Sequence, residues 1–146
     1  MKNRLYTIGY EQRHVDETLD RLIEVGVKVL LDVRELPQSR KRGFSKTALA
    51  AASAGRGIEY HHVRALGSPR ELRHTLRRTG DFEAFARGYL LHLRSQLDSV
   101  REMQQLVYRQ TCCLLCFEKD ARECHRQFIA SAIKALGQNG LEIVHL

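Results

Sequence analysis

The chain has 146 residues, the usual size of one domain and enough to bury a core without disulfides or a structural metal. Hydrophobic residues make up 43% and charged residues 28%, which excludes a disordered or fibrous chain. No apolar run approaches the roughly 18 residues that span a bilayer, and the first residues do not form a signal peptide. We therefore expect one cytoplasmic domain over residues 1–146, with no membrane partner.

Strand and helix patterns alternate from the amino terminus. Residues 5–9 are a short β-rich run that ends at a glycine, and apolar residues at helical spacing follow. Residues 27–33 are an almost continuous apolar run, typical of a strand buried on both faces. This βαβ order predicts a parallel pair of strands.

The middle of the chain is a loop followed by helical segments. Residues 34–45 show no periodicity, and Ser45 is a plausible N-cap for a helix that continues to residue 54. Residues 58–62 predict a third strand. Residues 69–109 carry apolar and aromatic side chains at helical spacing, which indicates a core face.

The last part of the chain returns to the strand and helix alternation. Residues 111–117 predict a second strongly apolar strand, and Asp120 with Glu123 resembles a capping box that opens a helix. Residues 141–145 predict a final strand. The whole order predicts a single three-layer α/β domain, with a mostly parallel sheet of about five strands flanked by helices.

Charged residues follow two of the predicted strands. Ligands of an open parallel sheet bind at the carboxyl ends of its strands. Asp32 and Arg34 flank Val33, so their side chains point to the same face, as an internal ion pair or as functional groups. Glu118 follows another apolar strand, and two carboxylates in one cleft separate their pKa values, as acid/base catalysis requires. Asp32 and Glu118 are therefore candidate catalytic residues.

Cys124, His125 and Arg126 fall in the first turns of the helix that Asp120 is predicted to cap. A helix N-terminus stabilises anions and lowers the pKa of a thiol. Cys124 is thus a candidate nucleophile, although an inert cysteine at a helix start is common. His125 is in register with the inner face of the helix, which favours an interior histidine over a metal ligand. We retain both as candidate catalytic residues, with Arg126 as part of an anion site.

The cysteines do not indicate a metal site. Cys112, Cys113 and Cys116 lie in an apolar run, which favours reduced, buried thiols over a disulfide framework. Together with Cys124 they lack the paired CxxC spacing of zinc sites. We therefore expect no metal and no cofactor.

Basic residues suggest an anionic ligand. Lys and Arg number 24 against 17 Asp and Glu, a net charge of +7. Cations surround the predicted helix start at Ser45, and Arg70, Arg73 and Arg77 recur at helical spacing with only Glu71 as an opposite charge. A solvated surface is the ordinary explanation, but the shortage of acids favours an anionic partner. The predicted anion-binding residues are Arg34, Ser39, Arg40, Ser45, Lys46 and Arg126.

Several of these motifs together resemble one family. They read TIGY at 7–10, LDVR at 31–34, GFSK at 43–46, LLCFEKD at 114–120 and CHR at 124–126. From about residue 5 to His145 the chain is similar to the domain of unknown function 488 family. It departs from the family at Tyr10 and Glu11, where the family motif often has His and Ser. The resemblance implies a compact α/β domain with its motif residues at strand ends. It carries no reaction, because no activity is established for the family.

The sequence leaves three functional hypotheses. The leading one is a hydrolase that acts on a phosphodiester or N-glycosidic bond of a nucleic acid or nucleotide, in a basic cleft that contains carboxylates. The second is a non-catalytic nucleic-acid-binding module in which the carboxylates only orient arginines. The third is thiol redox chemistry through Cys116 and Cys124. The sequence sets no oligomeric state.

Overall fold

The computed structural model describes residues 3–137 and 140–146 and has the predicted α/β fold. Within these residues, no helix is long and apolar enough to cross a membrane. Two short 3-10 turns, Arg64–Leu66 and Ala121–Glu123, accompany the regular elements. Those elements are β1 (Asn3–Gly9), α1 (Val15–Glu24), β2 (Val29–Asp32), α2 (Lys46–Ala54), β3 (Glu59–His62), α3 (Arg70–Thr79), α4 (Phe82–Arg94), α5 (Leu97–Arg109), β4 (Cys112–Cys116), α6 (Arg126–Leu136) and β5 (Leu141–His145).

All five strands are parallel and lie in the order β3-β2-β4-β1-β5. The chain leaves β1 toward β2 on one side, and it leaves β4 toward β5 on the other. Since β1 and β4 are neighbours, with Gly9 opposite Cys116, their carboxyl ends form the switch point at which ligands of such sheets bind. The fold therefore places the candidate site beside β1 and β4.

Helices cover both faces of the sheet, as predicted. On one face, Leu19 and Leu22 of α1 and Leu49 of α2 pack in one apolar cluster with alternate strand residues. On the other face, α4, α5 and α6 supply a second cluster that includes Tyr89 and Ile129. Every residue of β2 and β4 is buried, which confirms that these apolar runs form interior strands.

The segment after β4 differs from the prediction. The Asp120 carboxylate accepts a hydrogen bond from the Arg122 backbone N–H and caps a single 3-10 turn. Cys124 then adopts an extended backbone, with φ −136° and ψ 148°, and this interrupts the helix. Because α6 begins only at Arg126, the prediction that Cys124 lies in a helical turn was wrong.

The cysteines also differ from the prediction. Cys116 ends β4, and the turn that follows returns the chain so that Cys124 forms a disulfide with it. Cys112 and Cys113 are free and buried. The expectation of reduced thiols was therefore wrong for Cys116 and Cys124, because the seven-residue turn between them, not a recognisable spacing motif, brings them together.

Candidate functional site

A cleft of about 510 Å³ opens at the carboxyl ends of β1, β2 and β4. It combines cations, acids and sulfur in one space, and Tyr10 and Phe117 add aromatic surface. Its charged and reactive lining residues are Arg34, Arg73, Arg77, Glu35, Glu118, Glu123, Cys116, Cys124 and His125.

Arg34 is fixed by a buried ion pair. Its Nε and Nη2 donate to the two carboxylate oxygens of Asp32 at 2.8 and 2.6 Å, and its Nη1 donates to the Tyr10 hydroxyl at 3.1 Å. Burial alone would lower the pKa of Arg34, but the hydrogen bonds and charge of Asp32 outweigh it and raise that pKa. The result is a permanent, immobilised cation at the cleft wall.

Of the two predicted carboxylates, Glu118 lines the cleft and Asp32 lies behind Arg34. Asp32 has no exposed surface, and it also accepts a hydrogen bond from the Tyr60 hydroxyl. Burial raises the pKa of Glu118, with Glu11 and Glu123 adding to the effect. Glu118 is therefore a cleft carboxyl group whose protonated form is favoured by its surroundings.

His125 and Cys124 form an oriented pair at the base of the cleft. The Nε2 of His125 lies 2.6 Å from the carbonyl oxygen of Val33, which can only accept, so Nε2 carries the proton. Nδ1 then presents its lone pair to the Cys124 Sγ at 3.6 Å. Burial lowers the pKa of His125 to about 4, so the ring is neutral at pH 7. The predicted inward orientation of this side chain is confirmed.

Arg126 is fully buried, and its donors are directed at protein atoms. Nε donates to the Thr7 hydroxyl at 3.0 Å, and Nη1 donates to the Cys116 Sγ at 3.0 Å. Nη1 and Nη2 also donate to the backbone carbonyls of Glu118 and Lys119. The guanidinium therefore ties β1 to the end of β4 and the loop after it.

The predicted anion-binding loop is divided between two places. Ser39 lines both the cleft and a neighbouring depression on the surface, whereas Arg40, Ser45 and Lys46 line only that depression. Ser45 precedes α2 as predicted, but its hydroxyl bonds to the backbone of Ser39 and does not cap the helix. These residues thus shape the loop more than the floor of the cleft.

The arginine row of α3 supplies cations that the predicted site lacked. Arg73 and Arg77 line the cleft, and Arg73 pairs with Glu35 at 2.9 Å. The sequence shows the arginine row as a periodic pattern. It does not show that the row lies against the strand ends, because the turn before α3 determines that position. Glu123 was also missed as a site residue, and Cys116, the last residue of an apolar strand, had been named only in the redox hypothesis.

Comparisons with known proteins identify a family and no characterised relative. No curated protein and no solved structure matches this chain. The sequence model of the family described as "Domain of unknown function DUF488" matches residues 14–133, which include α1 through most of α6. The chain is therefore a member of the DUF488 family.

Proposed function

We propose that the chain is an enzyme, a hydrolase that acts on a nucleic acid or nucleotide. The observation that supports this most is the presence of Arg34, Arg73 and Arg77 with Glu118 in one cleft. Guanidinium groups bind phosphate oxygens bidentately, and burial raises the pKa of Glu118, which favours a role for this carboxyl group in proton transfer.

The residues take different roles in this proposal. Arg34 holds a phosphate, and Asp32 acts as a positioning residue that fixes Arg34. Glu118 is the general acid or base at the scissile phosphodiester or N-glycosidic bond. In the reduced chain, the Cys124 thiol is a candidate nucleophile. His125 Nδ1 would act as its base, and the Val33 carbonyl orients the His125 ring.

The test is a product survey with two matched variants. The reduced chain is incubated with DNA and RNA oligonucleotides, single- and double-stranded, and with free nucleotides. Chromatography separates shortened strands, which report phosphodiester cleavage, from free bases, which report N-glycosidic cleavage. Glu118→Gln should lose turnover and keep substrate binding. Glu102→Gln, an exposed residue of α5, should behave as wild type.

Three outcomes would count against this proposal or a part of it. Salt-sensitive binding of oligonucleotides with no product after long incubation would leave the non-catalytic binding module. Equal turnover by Glu118→Gln and wild type would remove Glu118 from the mechanism. The absence of both binding and product would overturn both of these readings.

The disulfide in the cleft wall favours thiol redox chemistry as a second candidate function. Here the Cys116–Cys124 dithiol would reduce a disulfide substrate by thiol exchange. The pair would give up two electrons and two protons as its own bond re-forms, and the substrate would leave as two thiols. Stopped-flow reduction of an oxidised thiol substrate by the wild-type chain, but not by Cys124→Ser, would support it. Iodoacetamide labelling of Cys124 no faster than that of a free thiol would count against it.

A further inference from the structure

We propose that Cys116, Cys124 and His125, once the disulfide is reduced, form a three-ligand site for Zn²⁺ with its fourth position open to the cleft. Two sulfur atoms and one imidazole nitrogen are the donor set that zinc prefers. These donor atoms all lie within 4.8 Å of one another, and all three residues are buried. The inference concerns metal binding and does not depend on the hydrolase proposal.

The spacing of the donors fits tetrahedral zinc. Zn–S and Zn–N bonds of about 2.3 and 2.0 Å place sulfur and nitrogen about 3.5 Å apart. Cys124 Sγ and His125 Nδ1 are 3.6 Å apart. The two sulfur atoms must separate to about 3.8 Å in such a complex. The backbone leaves room for this, because the Cα atoms of Cys116 and Cys124 are 7.6 Å apart.

Each of the three ligands already has the second contact that metal ligands have in proteins. The His125 Nε2–H donates to the Val33 carbonyl, which leaves Nδ1 unprotonated for a metal. The Cys116 Sγ accepts from Arg126 Nη1 at 3.0 Å. The Cys124 Sγ accepts from the Arg126 backbone N–H at 3.5 Å. Donors directed at sulfur stabilise thiolates, the form that binds zinc.

The charge of Arg126 also points to anionic sulfur. Its guanidinium is fully buried, and its hydrogen-bond acceptors are a hydroxyl, a sulfur atom and two carbonyls. In the part of the chain that the structure describes, no carboxylate forms an ion pair with it. A buried cation requires a counter-charge nearby. Glu118 and Asp120 act on Arg126 without forming an ion pair, and a Cys116 thiolate, 3.0 Å from Nη1, would supply a counter-charge in direct contact in the reduced chain.

The fourth position would face the basic cleft. All three ligands line it together with Arg34 and Glu118, so a zinc-bound water there would be next to any bound anion. A zinc site with three protein ligands and one open position is the catalytic type, which lowers the pKa of the bound water. The sequence did not indicate this site, because the ligand spacing is Cys-x7-Cys-His and not paired CxxC.

The test uses Co²⁺ as a spectroscopic substitute for Zn²⁺. The full chain is reduced with a dithiol, which becomes a cyclic disulfide as Cys116 and Cys124 take two electrons and two protons. The dithiol is then removed under anaerobic conditions. We expect one equivalent of Co²⁺ to produce thiolate-to-cobalt charge-transfer absorption bands. Strong visible absorption bands should indicate that the bound cobalt is tetrahedral. Co²⁺ binding should release the thiol protons that the reduced site still holds, and Zn²⁺ should then displace the cobalt with no further proton release.

The controls separate this site from other thiols. The oxidised wild-type chain, which differs from the reduced chain only in the disulfide, should not bind Co²⁺. Cys113→Ser removes a buried cysteine outside the cluster and should bind as wild type does. Cys124→Ser and His125→Gln should each lower the affinity for Co²⁺ by more than about 100-fold. This loss exceeds the one expected when a residue that only contacts a metal ligand is replaced. No stoichiometric binding by the reduced wild-type chain, or unchanged binding by a Cys124→Ser variant with a wild-type circular dichroism spectrum, would overturn the proposal.

Discussion

At the scale of single residues, the site is organised by buried charges that hold one another in place. Asp32 is enclosed by Arg34 and Tyr60, and Arg34 in turn contacts Tyr10, with its guanidinium carbon 5.2 Å from the ring centre. Such a pair contributes little net stability when it is intact, but it is costly to break from one side. The Asp32 carboxylate therefore fixes the conformation of Arg34.

Replacing Asp32 with Asn should destabilise the chain by about 3–5 kcal/mol, because Arg34 stays buried without its counter-charge. Tyr60→Phe removes only one hydrogen bond to the same carboxylate and should cost about 1 kcal/mol. Urea unfolding followed by circular dichroism measures both values. A loss for Asp32→Asn no larger than that for Tyr60→Phe would contradict this role of the ion pair.

His125 makes stability depend on pH in the metal-free chain. Burial lowers its pKa from 6.5 to about 4, so between these values the unfolded chain binds a proton that the folded chain does not. The free energy of unfolding should therefore fall as the pH decreases from about 6.5 to 4, by about 3 kcal/mol. Above pH 6.5 this contribution is constant.

The measurement compares urea unfolding of wild type and His125→Gln at several pH values. The variant lowers stability at every pH through lost contacts, so the informative quantity is the slope. Between pH 4 and 6.5 wild type should have the steeper slope, because other titrating groups act equally in both proteins. Parallel curves would show that His125 titrates normally.

At the scale of elements, the sequence was sufficient where one segment determines its own structure. β2 and β4 consist entirely of buried residues. Their continuous apolar runs are typical of strands in a sheet that helices cover on both faces. The helices between β3 and β4 were visible for the same reason, since Phe85, Tyr89 and Leu93 repeat on one face.

The sequence was insufficient where distant segments meet. Arg73 reaches the cleft through Glu35, which is 38 residues away, and no local pattern encodes that contact. His125 depends in the same way on the Val33 carbonyl, 92 residues away. The position of Cys124 required the extended backbone after the 3-10 turn, which interrupts a pattern that resembles a continuous helix start. Strand ends could thus be predicted, but not the loops that complete the site.

Gly9 controls the contact between β1 and the loop after β4. A Cβ atom at this position would lie 1.7 Å from the Glu118 carbonyl oxygen, a backbone atom that cannot rotate away. Gly9→Ala should therefore displace the loop that carries Glu118 and destabilise the chain by about 1–3 kcal/mol or more. The melting temperature should fall accordingly.

Gly55→Ala is the matched control for this substitution. Gly55 ends α2 with φ −62°, and an added Cβ there would approach nothing closer than 3.5 Å. Alanine should be neutral or stabilise the chain by up to about 1 kcal/mol. If Gly9→Ala melted at the same temperature as Gly55→Ala, the loop would have to be free to move away from β1.

At the scale of the whole molecule, the net charge of +7 is less informative than its distribution. Several of the cations are held in local ion pairs, such as Arg56 with Asp16 and Arg101 with Asp98. Arg77 differs, because it lines the cleft and, among the described residues, has no ion pair. If the chain binds a polyanion as proposed, Arg77 is the cleft cation whose charge no ion pair among the described residues neutralises, so it should contribute more to binding than a paired surface arginine.

Two substitutions that change the net charge equally test this distribution. Arg77→Ala and Arg101→Ala each remove one positive charge, but only Arg77 lines the cleft. Fluorescence anisotropy of a labelled single-stranded oligonucleotide, measured over a range of salt concentrations, gives affinity and its salt dependence. Because each phosphate contact releases about one counterion, Arg77→Ala should weaken binding and reduce the salt slope by about 1, whereas Arg101→Ala should change neither. Equal losses for the two variants would mean that overall charge, and not the cleft, attracts the polyanion.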